Sequence, residues 1–183
     1  MEIIAIRDAT EKSMRQFFRH WGQIEGTIKV DQGWVSIFVV DADDLESVTD
    51  YAELISIEME KVVIYVKGQA GAVQRFCIYE HGIYCPVSKA EAEQLGMVRK
   101  NACWHLENRL APWGVSEQDQ WAIRGCIARF DTEAGPHGNQ DESALSSLAA
   151  AIARAFGLPQ WWQARTIDEL TSDAVGKPLL REK

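Results

Sequence analysis

The stretch that decides the fold is 61-KVVIYVKGQAGAVQRFCIYEHGIYCP-86, which carries the strongest structural signal in the chain. Its run of β-branched and aromatic residues at 62–66 favours a strand that is buried on both faces. Glycine-containing turns at 68–71 and 80–82 separate this run from two further apolar runs. The stretch therefore predicts a three-stranded antiparallel meander that forms the core sheet.

The second turn of the meander also predicts a strand register. The segment EHG at 80–82 suits a three-residue loop with a type I turn, in which glycine takes the left-handed conformation. In that register Tyr79 lies opposite Ile83, and Cys77 lies opposite Cys85. A disulfide between the two cysteines fits this geometry, but a reducing compartment favours free thiols.

The residues before the meander predict a strand, a helix and a hairpin. Residues 2–7 alternate weakly and indicate a first strand. Asp8 followed by Glu11 matches a capping box, and the apolar spacing that follows predicts a helix over 9–21. Two apolar runs within 27–40, separated by a short polar loop with glycine, are typical of a β-hairpin.

Residues 41–60 fit two interpretations. Asp41 or Asp43 can cap a short helix over 41–51. Apolar and polar residues then alternate over 52–60, which favours a strand, although the end of a helix also fits.

The second half of the chain, from Ser88 onwards, is predicted to be mostly helical. The predicted helices cover residues 89–95, 97–110, 116–130 and 142–156, with a strand left open at 120–130. The fold class is therefore α+β, with an antiparallel meander sheet in the N-terminal half packed against a mostly helical C-terminal half. We expect one domain over 1–183, made of a strand-rich half (1–87) and a helical half (88–183).

Composition points to a soluble globular protein. The chain has 183 residues, of which 46% are hydrophobic and 25% are charged. No apolar run approaches the roughly 20 residues of a membrane helix, and the first ten residues do not resemble a signal peptide. The four cysteines lack metal-binding spacing, which indicates buried, reduced thiols and a cytoplasmic location.

The sequence matches no enzyme template. The glycines at 68–71 lie between two strands, so they lack the helix N-terminus that a phosphate-binding loop uses. The acidic segment that begins at Asp41 lacks the glycine and glutamate of a calcium loop. We therefore expect a non-catalytic protein without cofactor or metal, and a chemical role for Cys126 or His137 stays an open alternative.

The acidic segment, residues 41–60, is the most informative part of the chain for function. It contains eight acidic side chains and no lysine or arginine, and these acids match the formal net charge of −8. That charge argues against a general nucleic-acid or anionic-membrane binder. A solvated, helix-capping segment explains the pattern, and so does a recognition surface for a basic protein. The candidate contact residues are Asp41, Asp43, Asp44, Glu46, Asp50, Tyr51 and Glu53, with Tyr51 as an aromatic anchor.

In size, charge and lack of catalytic motifs, the chain resembles bacterial immunity proteins that neutralise a cognate toxin. That resemblance implies a basic protein partner, such as the nuclease domain of a toxin. The alternative is a small enzyme or ligand-binding domain whose pocket lies between the sheet and the tryptophan-rich helices. Homo-oligomerisation also stays open.

Overall fold

A computed structural model describes residues 1–21, 25–31, 33–41, 45–69, 71–99, 102–103, 105–133, 142–158 and 177–178. The chain divides into two compact units. The sheet unit comprises residues 1–71, 75–84 and 161–183, and the helical unit comprises 72–74 and 85–160. The predicted α+β class is confirmed: the sheet is antiparallel and lies in the N-terminal half, and helices dominate the C-terminal half. The single-domain organisation stays a prediction.

The strands are β1 (Glu2–Arg7), β2 (Glu25–Asp31), β3 (Trp34–Asp41), β4 (Val62–Gln69), β5 (Ala72–Glu80), β6 (Ile83–Tyr84), β7 (Val98–Arg99), β8 (Ala102–Cys103) and β9 (Lys177–Pro178). The helices are α1 (Glu11–Trp21), α2 (Leu45–Met59), α3 (Lys89–Gln94), α4 (Leu106–Arg109), α5 (Glu117–Glu133) and α6 (Glu142–Phe156).

The first strand of the chain lies in the middle of the main sheet, whose strand order is β6-β5-β4-β1-β3-β2-β9. Ile4 of β1 is paired with Ile37 of β3 on one side and with Tyr65 of β4 on the other. On β4, Ile64 and Tyr65 point to opposite faces and are 1% and 0% exposed. The predicted burial of this strand on both faces is confirmed.

The turn between β5 and β6 differs from the predicted one. Glu80 pairs with Ile83, so the loop contains only His81 and Gly82. Both loop residues have positive φ, 51° and 73°, as a type I′ turn requires. Because His81 takes the left-handed conformation without being glycine, the loop is one residue shorter than expected. Tyr79 consequently lies opposite Tyr84, and the predicted register is wrong by one residue.

Helix α1 begins with a different cap from the one that the sequence predicts. The Thr10 hydroxyl accepts a hydrogen bond from the Ser13 N–H, and the Ser13 hydroxyl accepts one from the Thr10 N–H, each at 3.1 Å. These reciprocal bonds form the capping box. Asp8 instead has a φ of 52° and donates its N–H to the Gly33 carbonyl at 2.7 Å. It therefore belongs to the turn before the helix.

The predicted strand over residues 52–60 is wrong, because these residues belong to the second half of helix α2 and the turn that follows it. One helix runs from Leu45 to Met59. Val48, Ala52 and Ile55 recur at helical spacing and are all buried, whereas Ile57 is exposed. Apolar and polar residues alternate over 52–60, which also fits a strand. In the structure, however, the buried side chains follow the helical repeat of 3.6 residues.

Helices α1 and α2 build the core of the sheet unit on one face of the sheet. Their apolar side chains join those of β1, β3, β4 and β5 in one buried cluster. Its members include Ile4, Met14, Phe17, Phe18, Ile37, Ile55, Tyr65 and Tyr79.

In the helical unit, the predicted helix at 97–110 is wrong except for its last turn. Gly96, with a φ of 67°, follows the end of α3, and the Met97 N–H bonds to the Ala92 carbonyl at 2.8 Å. The chain then forms the β7–β8 hairpin before α4. The predicted cap of α3 is confirmed, because the Glu91 N–H donates to the Ser88 hydroxyl at 3.2 Å.

The two long helices of the helical unit, α5 and α6, pack against each other. Both were predicted, and the open question at 120–130 is settled in favour of helix. The buried residues of α5 are Ile123, Ile127 and Phe130, and those of α6 include Leu145, Leu148 and Ile152. No helix among the described residues is long and apolar enough to cross a membrane.

Candidate functional site

The predicted contact residues lie on β3, on α2 and in the segment between them. Asp41 is the last residue of β3. Those on α2 are Glu46, Asp50, Tyr51 and Glu53. Asp43 and Asp44 lie outside the described residues, as do the side chains of Asp41 and Glu46. The site is therefore built from the rest of α2.

An acidic stripe follows the exposed side of α2. We define it as Asp50, Glu53, Ile57, Glu58 and Glu60, all of which are exposed. Spacings of three and four residues place the first three on one helix face, because an α-helix repeats every 3.6 residues. Glu60, with a φ of 52°, follows the end of α2. The stripe thus carries four carboxylates around one isoleucine.

Three members of the acidic stripe, Asp50, Glu53 and Ile57, lie on the side of α2 that is nearest to β5 and β6. Ile57 is adjacent to the backbone of Gly82 in the β5–β6 turn. Asp50 and Glu53 are close enough to Tyr79 of β5 to help raise its pKa, although burial of the tyrosine is the larger cause. Because β6 is the last strand of the sheet, the stripe stands beside a sheet edge.

Tyr51, the predicted aromatic anchor, lies on the flank of α2 that faces α1, away from Asp50, Glu53 and Ile57. Its ring is half-buried, and its centroid is 6.2 Å from that of Phe18 on α1. Its hydroxyl donates a hydrogen bond of 3.4 Å to the Trp21 carbonyl. Tyr51 therefore links α2 to α1. It lies on the same side of the helix as Glu58, seven residues further on, and not beside Ile57.

Ile57 takes the central apolar position that we expected Tyr51 to hold. Its side chain is 48% exposed and lies between Glu53 and Glu60 on the helix surface. Helical spacing from Asp50 would have identified it, but the interpretation of 52–60 as a strand hid this relationship. Ile83 of β6 is also exposed, but its pairing with Glu80 puts it on the opposite sheet face from Tyr79 and α2.

His105, at the start of α4, is buried in the helical unit. Its Nδ1 atom lies 3.2 Å from the Asn108 amide nitrogen, and its Nε2 atom lies 3.5 Å from a Glu107 carboxylate oxygen. Arg124 lies 3.4 Å from the other oxygen of Glu107. These contacts orient the imidazole at the start of α4.

The structure describes the side chains of three of the four cysteines. Cys77 and Cys85 are buried and are not disulfide-bonded, and Cys126 is half-buried with its Sγ 3.8 Å from the Ser147 carbonyl oxygen. The side chain of Cys103 and all of His137 lie outside the described part of the chain. Within that part, no three His, Cys, Asp or Glu side chains group as metal ligands would.

The chain was compared with protein-family models, with curated proteins and with solved structures, and none of the three comparisons found a match.

Proposed function

We propose that this protein is a non-catalytic binding protein of immunity type, which neutralises a basic toxin such as a nuclease in the bacterial cytoplasm. The observation that carries the proposal is the acidic stripe of α2. Three exposed carboxylates of α2 and that of Glu60, just after the helix, lie on the same surface as the half-exposed Ile57. A charged rim around an apolar centre is the usual anatomy of a protein-binding surface.

The carboxylates of the stripe have no ion-pair role in the fold that the structure describes. The ion pairs between described residues join other side chains, including Glu2 to Lys67 and Glu11 to Arg15. None of them includes Asp50, Glu53 or Glu58. Like charges close together repel one another, and an approaching cationic surface relieves that repulsion.

The stripe suits a nuclease-like partner for an electrostatic reason. Enzymes that act on nucleic acids carry basic clefts for the phosphate backbone. An acidic surface that approaches such a cleft is steered to it, which raises the association rate by roughly 10- to 1,000-fold at low salt. Occupation of the cleft then excludes the nucleic acid without any chemistry by the inhibitor.

Ile57 supplies the apolar contact at the centre of the proposed surface. Full burial of an isoleucine side chain is worth about 1.5–3 kcal/mol. Since the side chain is already 48% exposed, a partner can bury about half of it and gain on the order of 1 kcal/mol. Charge then guides association, and Ile57 slows dissociation.

The experiment that tests the proposal starts from the genes beside this one. Each neighbouring reading frame that encodes a basic protein is expressed in a host, and the frames that stop growth are kept. Co-expression of the wild-type chain is expected to restore growth with one of them. Reversal of Asp50, Glu53 and Glu58 to lysine is expected to abolish the rescue while the chain still folds.

A matched control reverses Glu93, Glu117 and Glu142, which are exposed acids of the helical unit. This control variant should still restore growth. Rescue by the stripe variant at the wild-type level, or failure of the wild-type chain to relieve any of these toxicities, would contradict the proposal.

A further inference from the structure

A groove of about 500 Å³ runs along the outer face of α1 in the sheet unit. The described residues that line it are Glu11, Lys12, Arg15, Gln16 and Arg19. Their spacing of one, three or four residues places them on one side of the helix. Buried Met14, Phe17 and Phe18 take the other side. The groove is large enough for a small organic ligand.

The described lining of the groove is cationic, although the whole chain has a net charge of −8. Among the described residues, three basic side chains and one carboxylate line it. The carboxylate of Glu11 holds the guanidinium of Arg15, with contacts of 2.8 Å to Nη2 and 2.9 Å to Nε. This pair fixes the position of Arg15, and the three cations and one anion of the described lining sum to a net charge of +2.

Two features of the cations are unfavourable for the isolated helix. Lys12 lies in the first turn, where the helix dipole disfavours positive charge. Arg15 and Arg19 are four residues apart, a spacing at which like charges destabilise a helix. Arg19 in the last turn interacts favourably with the dipole, but the dipole does not explain Lys12.

We propose that this groove binds a small oligophosphate, namely a di- or triphosphate chain that is free or part of a nucleotide. Lys12 and Arg19 are seven residues apart, or about 10 Å along the helix axis. Their long side chains can close on the two ends of one polyphosphate between them. Arginine and lysine are the usual phosphate ligands, and the Gln16 amide can donate a further hydrogen bond.

This inference goes beyond the proposed toxin binding and is independent of it. It concerns α1, whose groove is basic, whereas the proposed inhibitory surface concerns α2 and is acidic. The variants that test one surface leave the other unchanged.

The test is isothermal titration calorimetry of the whole chain with sodium tripolyphosphate in HEPES buffer at about 20 mM salt, where charge screening is weak. The double variant Lys12→Ala and Arg19→Ala is expected to raise the Kd at least tenfold, because each lost charged hydrogen bond weakens binding by about that factor. A matched control replaces Lys89 and Arg154 with alanine. Both are exposed and lie in the helical unit, so the control should bind like the wild type.

The variant Glu11→Gln should change the affinity for tripolyphosphate in the opposite direction from the double variant. Removal of the one carboxylate in the described lining should strengthen tripolyphosphate binding several-fold, an effect that a damaged fold would not produce. Titration with ATP then identifies the source of the phosphate: tighter binding than tripolyphosphate indicates a nucleotide, and equal binding indicates the phosphate chain alone.

Three results would overturn the inference. One is the same Kd for the wild type and the Lys12 and Arg19 double variant. Another is the absence of measurable tripolyphosphate binding by the wild type at low salt. The third is an affinity for single-stranded oligonucleotides that rises steadily with their length, which would make the groove a general polyanion surface.

Discussion

The hydroxyl of Ser56 on α2 accepts a hydrogen bond of 2.9 Å from the backbone N–H of Gly82 in the β5–β6 turn. Ser56 is 0% exposed, so this bond forms away from solvent. The next residue, Ile57, lies against the same glycine. The helix that carries the acidic stripe is therefore fastened to the turn at the sheet edge.

Replacement of Ser56 by alanine should destabilise the protein by about 1–3 kcal/mol, because it leaves the Gly82 N–H without its acceptor. Urea denaturation measures the change. Ser147→Ala on α6 is the matched control, since Ser147 is exposed and also lies within a helix. If Ser56→Ala lowers the free energy of unfolding no more than Ser147→Ala does, the Ser56–Gly82 hydrogen bond contributes little to stability.

The cap of α1 gives a second prediction. Thr10→Ala removes one half of the capping box and should cost about 0.5–2 kcal/mol. Asp8→Asn should cost much less, because asparagine tolerates the left-handed conformation that Asp8 adopts. Thermal unfolding of both variants compares the two positions. If Asp8→Asn lowers the melting temperature more than Thr10→Ala does, then Asp8 caps the helix and the assignment to Thr10 is wrong.

The buried tyrosines predict a loss of stability at alkaline pH. Burial raises the pKa of Tyr65 above its ordinary value of about 10, with a further contribution from Glu2, and burial also raises that of Tyr79. Above pH 10 the unfolded chain releases these two protons and the folded chain keeps them. The free energy of unfolding should then fall by up to about 1.4 kcal/mol per pH unit for each tyrosine.

Urea titrations at pH 9, 10 and 11 measure this slope. The double variant Tyr65→Phe and Tyr79→Phe should be less sensitive to pH over this range. The Tyr65 hydroxyl is buried without a hydrogen-bond partner of normal geometry in the described structure, so its removal costs little. If the free energy of unfolding of the double variant falls with pH as steeply as that of the wild type, Tyr65 and Tyr79 are not the cause of the alkaline loss of stability.

Much of the fold could be predicted from the sequence, because local patterns determine most of its elements. The meander, α1 and α6 each have a clear period and a clear end signal. The failures occur where the period is ambiguous or the segment is short. The alternation over 52–60 fits a strand, but contacts with β4 hold these residues as a helix. The two-residue strands at Val98 and Ala102 are too short for periodicity to detect.

The candidate site was predicted in part. The excess of acids in 41–60 is visible in the sequence, because charge requires no knowledge of the fold. The composition of the surface depends on which way each side chain points. Tyr51 turns towards Phe18, and Ile57 turns outwards, because α2 packs with one particular face on the sheet. Tertiary packing determines that rotation.

The central claim is that the acidic stripe of α2 recognises a basic protein. The most direct measurement is the association rate of the chain with the basic toxin that the growth-rescue experiment identifies, followed by stopped-flow fluorescence at several salt concentrations. Reversal of Asp50, Glu53 and Glu58 to lysine should lower the rate at least tenfold at low salt and remove most of its salt dependence. The control reversal of Glu93, Glu117 and Glu142 should change the rate far less. Equal slowing by the two variants would contradict the claim.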